Sequence, residues 1–154
     1  MGDLDLVKVV LDELADMTWM QVAIRPAKPF AFGVLAGTPM FGLPGNPVSA
    51  LVSLSLLAVP GLRRLAGRQD LDLPRVTATA EVDLPRRADG RVAYLRVSCR
   101  WEDDRFVVRP VSDQGSHHLA AAAGANALVE LPDGPGAVAG DPVTAVLLRD
   151  PFTP

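Results

Sequence analysis

Residues 76–82, Val76-Thr77-Ala78-Thr79-Ala80-Glu81-Val82, place an apolar side chain at every second position. That period of two belongs to a strand with one buried face. Val92-Ala93-Tyr94-Leu95-Arg96-Val97 repeats it, and Asp89-Gly90 between the two stretches predicts a hairpin. Glu102-Asp103-Asp104 predicts another turn ahead of Arg105-Phe106-Val107-Val108-Arg109. Residues 127–131 and 143–148 are further apolar runs. Five or six short strands separated by Gly, Pro and Asp predict a small all-β barrel or sandwich over residues 76–150. Residues 119–123 predict one short helical turn within it.

Upstream the pattern differs. Val7, Val10, Leu11 and Leu14 follow the spacing of an amphipathic helix. Val22-Ala23-Ile24 and Phe30-Ala31-Phe32-Gly33-Val34-Leu35 read as strands on either side of Pro26 and Pro29. A third run, Met40-Phe41-Gly42-Leu43, leads into a helix with Asn46 as N-cap and Pro47 in its first position. Helices alternating with continuous apolar strands predict part of an α/β layered sheet over residues 1–67. Its roughly three strands fall short of the usual four to six, as in a domain cut through the middle. Residues 68–75, rich in Asp, Leu and Pro, predict a linker. No internal repeat is present.

Bulk properties exclude several classes. The 154 residues carry a formal charge of −3, with 49% hydrophobic residues. Such a chain offers no global field for nucleic acid or an anionic membrane, so an anion site has to be built locally. Cys99 is the single cysteine, which rules out an intrachain disulfide; its alternating context predicts a half-buried strand residue. The start MGDLDLVK lacks the basic and long apolar regions of a signal peptide, so a cytoplasmic protein is expected. The apolar stretch 50–62 is interrupted by Ser53, Ser55 and Pro60 and falls short of the roughly 20 residues a membrane span needs, which predicts a buried helix.

Four constellations could carry chemistry. Gly42-Leu43-Pro44-Gly45-Asn46-Pro47-Val48-Ser49-Ala50 joins a strand to a helix. A helix N-terminus offers N–H donors and the positive dipole end, Gly45 admits a ligand to the backbone, and Ser49 adds a hydroxyl. An ordinary capped turn has the same composition. Ala23-Ile24-Arg25-Pro26-Ala27-Lys28-Pro29 clamps two cations between prolines, suiting a multiply charged anion, although a solvated loop reads the same way. Asp3 and Asp5 either cap the first helix or hold Mg²⁺, which takes one or two carboxylates plus substrate phosphates. Gln114-Gly115-Ser116-His117-His118 lacks the further ligands zinc needs and suits hydrogen bonding to an oxyanion better.

Taken together, "GDLD", "AIRPAKPFAFG", "GLPGNPVSA" and "SDQGSHHLAAAAGANALVELP" resemble, in this order, the molybdopterin molybdenumtransferases, the MoeA/gephyrin E-domain family. The resemblance runs from Gly2 to about Leu148. It implies insertion of molybdate into adenylylated molybdopterin, with Mg²⁺ as cofactor and release of AMP, by an elongated homodimer with neither nucleic acid nor membrane as partner. Residues 1–67 would be the latter part of the α/β catalytic domain of a three-layer, molybdopterin-binding type. Residues 76–150 would be the C-terminal barrel. By the same resemblance Asp5 serves Mg²⁺ or proton transfer with Asp3 beside it, and Lys28 acts in catalysis. Arg25, Pro44, Pro47, Arg96 and Ser116 would bind substrate, and the reading of the Gly42–Ala50 loop itself adds Gly45, Asn46 and Ser49 to the candidates. Gln21 stands where some members carry lysine, and Ala27 where glycine is usual. The family's two N-terminal domains and the GGVS strand end are not in this chain, which implies little or no activity for it alone. A non-catalytic interaction or scaffold module derived from the family is the competing reading, and a generic anion-binding β module is a third.

Overall fold

The computed structural model describes residues 6–111 and 124–150. Helix α1 (Leu6–Leu14) leads into β1 (Asp16–Gln21), the short β2 (Ile24–Arg25), β3 (Pro29–Leu35) and β4 (Thr38–Gly42). A helical rod follows: α2 (Pro47–Ser53), a π-helical turn (Leu54–Ala58) and α3 (Val59–Leu65). The remaining strands are β5 (Arg75–Ala80), β6 (Leu84–Pro85), β7 (Val92–Glu102), β8 (Arg105–Pro110), β9 (Ala127–Leu131), β10 (Gly136–Ala137) and β11 (Pro142–Leu147).

The expected barrel is present. Strands pair in the order β7-β8-β5-β11-β9, and β9 returns to β7 to close five strands. Closure removes the free edges. The period of two is obeyed around the wall. Val76, Ala78 and Ala80 of β5 point inward, as do Ala93, Leu95, Val97 and Cys99 of β7. They meet Val108, Ala127, Val129, Leu131, Val143 and Ala145. Alanine recurs here because a five-stranded bore has little room. Cys99 is fully buried rather than half-buried, and burial pushes its thiol pKa up, which suppresses the reactive thiolate.

Two local expectations are corrected, and the turn expected at Glu102-Asp103-Asp104 is present. The Asp89-Gly90 turn does not join β5 to β7: β5 pairs with β11 and, in parallel, with β8. Residues between them form β6 instead, which pairs with β10. Barrel closure is a non-local constraint that a local turn signal does not contain. The two-residue hairpin turn lies at Asp103-Asp104, both at positive φ, between the paired Glu102 and Arg105. The strand expected at 22–24 is not formed as such: β1 ends at Gln21, Val22 and Ala23 lie outside any strand, and Ile24 opens the two-residue β2, because β1 is defined by its pairing with β3 rather than by apolar content.

The first part of the chain is less layered than expected. β1, β3 and β4 make an antiparallel three-stranded sheet, and the described residues contain no three-layer α/β arrangement. The helix begins after Asn46 as expected, but it is longer than expected and mostly not buried. The rod runs 19 residues, Pro47–Leu65. By length and composition it could cross a membrane; in this fold about a third of it is buried. Pro60 does not end it, because the preceding π turn absorbs the mismatch: the Val59 N–H donates to the Leu54 carbonyl, five residues back. One face of the rod, with Val52, Leu56 and Leu57, packs with Ile24 and Ala27 against the outside of the barrel at Leu128, Val146 and Tyr94. Segment 68–75 is pinned to the rod, since the Arg63 guanidinium donates to the carbonyls of Asp70, Leu71 and Asp72. By contrast α1 buries none of its residues, and Leu6, Val7 and Leu14 are exposed.

One polar side chain extends the ladder. Ahead of β9, the Asn126 amide accepts from the Cys99 N–H at 2.7 Å and donates to the Cys99 carbonyl at 2.9 Å. It behaves as an extra peptide unit between β7 and β9. Asn126→Ala should cost about 1–3 kcal/mol, since two buried backbone groups lose their partners. Urea unfolding of the two proteins measures it, and a change below about 0.5 kcal/mol would refute the role.

Candidate functional site

The cation loop is built by crossing from one sheet to the other. The Val22 N–H donates to the Lys28 carbonyl at 2.7 Å and closes the loop's base. Inside it, β2 lies parallel to the start of β7, with Ile24 opposite Val92 and Arg25 opposite Ala93. The Val92 N–H donates to the Ala23 carbonyl at 2.9 Å. Ile24 enters the apolar cluster, so Arg25, next in the alternation, leaves it. The Arg25-Pro26 peptide is cis, and Ala27 is buried at φ 81°. That conformation favours glycine, which explains the usual family residue there; alanine adopts it against steric resistance.

Arg25 and Lys28 leave the same short loop, but of the two only Lys28 lines a depression. Lys28 lines an open depression of about 440 Å³ together with Gln21, Val22, Ala23, Asp89 and Arg91. Arg25 reaches it through Asp89: its Nη1 lies 3.4 Å from Oδ2. Asp89 is the hub. Arg91 donates to the same oxygen through Nε at 3.1 Å and also through Nη2. Arg86 donates to the other oxygen, Oδ1, at 3.0 Å.

Arg86 anchors this hub. Its side chain is 5% exposed. It donates to the carbonyls of Arg91, Leu131 and Pro132 and to the Asp133 carboxylate at 2.8 Å, while Asp133 also accepts from the Asp89 N–H. Asp89, Arg86, Arg91 and Asp133 were missed in the sequence, where they look like routine turn charges. No local signal marks them: Asp89 is 64 positions from Arg25.

The Pro44–Ser49 loop stands apart; none of its residues lines the depression. Asn46 is the N-cap, and its Oδ1 accepts from the N–H groups of Val48 and Ser49. Pro47 has no N–H, and Ala50 donates to the Asn46 carbonyl at 2.8 Å. The first-turn donors on which an anion cradle would draw are therefore already taken. Gly45 is exposed, lacks a positive φ, and a Cβ there would meet nothing within 4 Å. The fold does not require glycine at that position.

Arg96 is 1% exposed, the largest fully buried side chain among the described residues. It sits on the outward side of β7, opposite Leu128, and does not line the depression. Asp3, Asp5, Ser116 and the expected turn at 119–123 lie outside the described residues. Among the described residues no group of three or more His, Cys, Asp or Glu could hold a metal ion.

The closed five-stranded barrel is the part of the chain that a family model covers. Residues 77–148 match the family described as the MoeA C-terminal region (domain IV). The molybdopterin molybdenumtransferase of Haemophilus influenzae is 37% identical over 93% of this chain and 36% of its own length. The molybdenum cofactor synthesis protein cinnamon of Drosophila melanogaster is 35% identical over 99% of this chain and 26% of its own length. A crystal structure of the molybdopterin biosynthesis MoeA protein from Pyrococcus horikosii superimposes with a TM-score of 0.74 at 31% identity, over 95% of this chain and 35% of that one. The chain belongs to the MoeA family of molybdopterin molybdenumtransferases. It spans about a third of the length of the relatives it matches, or less.

The Asp89 carboxyl is held below its ordinary value of 3.8, first by the hydrogen bond from Arg91, against the opposing effect of desolvation, with the charges of Arg91, Arg86 and Arg25 assisting. A depressed carboxyl contributes stability that is present above the ordinary value and lost as pH falls through the folded one. Asp89→Asn should therefore lose less stability than the wild type on acidification below about pH 4. Urea midpoints across an acid series test this, and parallel acid limbs would refute it.

Proposed function

We propose that this chain forms the oxyanion-handling part of a molybdopterin molybdenumtransferase, a cytoplasmic enzyme of molybdenum-cofactor biosynthesis. Its substrates would be molybdate and adenylylated molybdopterin, and AMP would leave. The observation that carries this reading is one open depression lined by Lys28, Asp89 and Arg91, with Arg25 paired to the same Asp89. Pre-placed cations stabilise a multiply charged oxyanion without reorganising when it arrives. The two guanidinium groups offer planar forks to its oxygens, and Lys28 acts as a point charge. The family resemblance adds Arg96 and Ser116 from the barrel side, although Arg96 is buried away from the depression and Ser116 lies outside the described residues. Residues 1–67 would be the latter part of the catalytic domain, residues 68–75 its connection to the barrel, and the full-length protein a homodimer.

The Pro44–Ser49 loop would act through its shape. With its first-turn donors capped, what it offers is bare backbone at Gly45 and the rigid prolines on either side, against which a flat substrate can lie. Mg²⁺ falls to Asp3 and Asp5, which lie outside the described residues, and no step is derived through it. The residues placed here bind and orient the anion, while the phosphoanhydride partner needs the larger protein.

Two substitutions test the reading in the full-length protein. Lys28→Ala should weaken molybdate binding by about tenfold, the loss of one charge-assisted contact; unchanged affinity would overturn the cradle. Gly45→Ala should leave the thermal midpoint unchanged or slightly raised, because the methyl has open space and the unfolded chain loses entropy. It should lower turnover if substrate approaches that backbone. Full activity with Gly45→Ala would remove the loop from the site.

A further inference from the structure

We infer that Asp89 and Arg91 belong to the oxyanion site: Arg91 as a third cation beside Arg25 and Lys28, and Asp89 as a built-in counter-ion that the arriving oxyanion displaces from both arginines. This inference rests on the reading of Arg25 and Lys28 as the basic pair of that site.

The two oxygens of Asp89 face different environments. Oδ1 accepts from Arg86, which is buried and tied to four backbone carbonyls and Asp133, so this side of the carboxylate is fixed. Oδ2 faces Arg25 at 3.4 Å and the Arg91 Nε at 3.1 Å. Arg25 is 60% exposed and Arg91 32% exposed, against 5% for Arg86. The hub thus has a rigid buried arm and two solvent-exposed arms that can change partner. An exposed pair as long as Arg25–Asp89 contributes little.

A tetrahedral oxyanion offers more oxygens than one carboxylate edge and can engage both guanidinium forks at once. Lys28 and Arg91 line the same depression as Asp89, so the exchange needs side-chain rotation and no movement of the sheet. Without the anion, Asp89 offsets the repulsion among three neighbouring cations. With it, Asp89 stays on Arg86 while Arg25 and Arg91 turn to the ligand. The 440 Å³ depression has room for a larger molecule attached to the anion.

The test titrates this chain with sodium molybdate, and separately with sodium sulfate, by calorimetry at low ionic strength. Asp89→Asn keeps an acceptor for Arg86 but removes the competing charge, so molybdate should bind at least about threefold more tightly. Arg91→Gln should bind about tenfold more weakly. Weaker or unchanged binding by Asp89→Asn, or unchanged binding by Arg91→Gln, overturns the inference. Should Asp89→Asn not fold, as judged by its thermal midpoint, Arg91→Gln decides alone. Equal tightening for sulfate and molybdate supports the counter-ion and tells against molybdate as the particular anion. Loss of binding in Lys28→Gln with no response at residues 89 and 91 leaves the basic pair standing and overturns this inference. A wild-type chain that binds neither anion at millimolar concentration overturns both.

Discussion

Two backbone pairings, Ile24 with Val92 and Arg25 with Ala93, couple the first part of the chain to the barrel. β2 has only these two residues, yet their consequences diverge. Ile24 goes into the cluster formed by the helical rod and the barrel's outer wall. Arg25 goes the other way, toward Asp89. Alternation along an extended chain turns one register into two commitments, apolar on one side and charged on the other. A slip of one residue would bury the guanidinium and expose the isoleucine, so the burial of Ile24 is what keeps Arg25 in the site.

The barrel was legible in the sequence because its signal is local. β5 and β7 carry clear alternation, β9 and β11 read as apolar runs, and a narrow bore selects small inward residues. What alternation cannot reveal is a second apolar face. Leu128 and Val146 point outward and are nonetheless buried, since the rod covers them. Pairing order was equally hidden, and the turn signal at Asp89-Gly90 therefore gave the wrong partner. β1, Asp-Met-Thr-Trp-Met-Gln, carries little apolar pattern and is a strand because β3 lies beside it. In the candidate site, Arg25 and Lys28 stand out in the sequence through the prolines that clamp them. Asp89, Arg86 and Arg91 were not, because their significance comes from a contact made across most of the barrel's folding.

The helix start after Asn46 shows how a correct local reading can alter a functional one. The cap forms as its composition predicts. A good cap satisfies the donors that an anion would otherwise use, so it lowers the anion affinity expected of the helix end. The positive charge of the candidate site then has to come from side chains. Lys28, Arg25 and Arg91 are the candidates for it, beside an Asp89 that Arg86 holds in place.

The glycines separate structural need from functional opportunity. At Gly33 a Cβ would lie 2.4 Å from the Asp16 carbonyl oxygen, and at Gly42 it would lie 2.8 Å from the Ala31 methyl. Both are demanded by close strand packing. At Gly61 it would lie 2.8 Å from the Phe41 ring, which lets the rod approach β4. Gly45, in the same short stretch as Gly42, meets neither backbone strain nor a neighbour. Packing explains three of these residues completely and the fourth not at all. A small residue that the fold does not need, exposed beside two prolines that hold the chain rigid, is the one position in this loop where the missing side chain leaves room for something other than the protein itself.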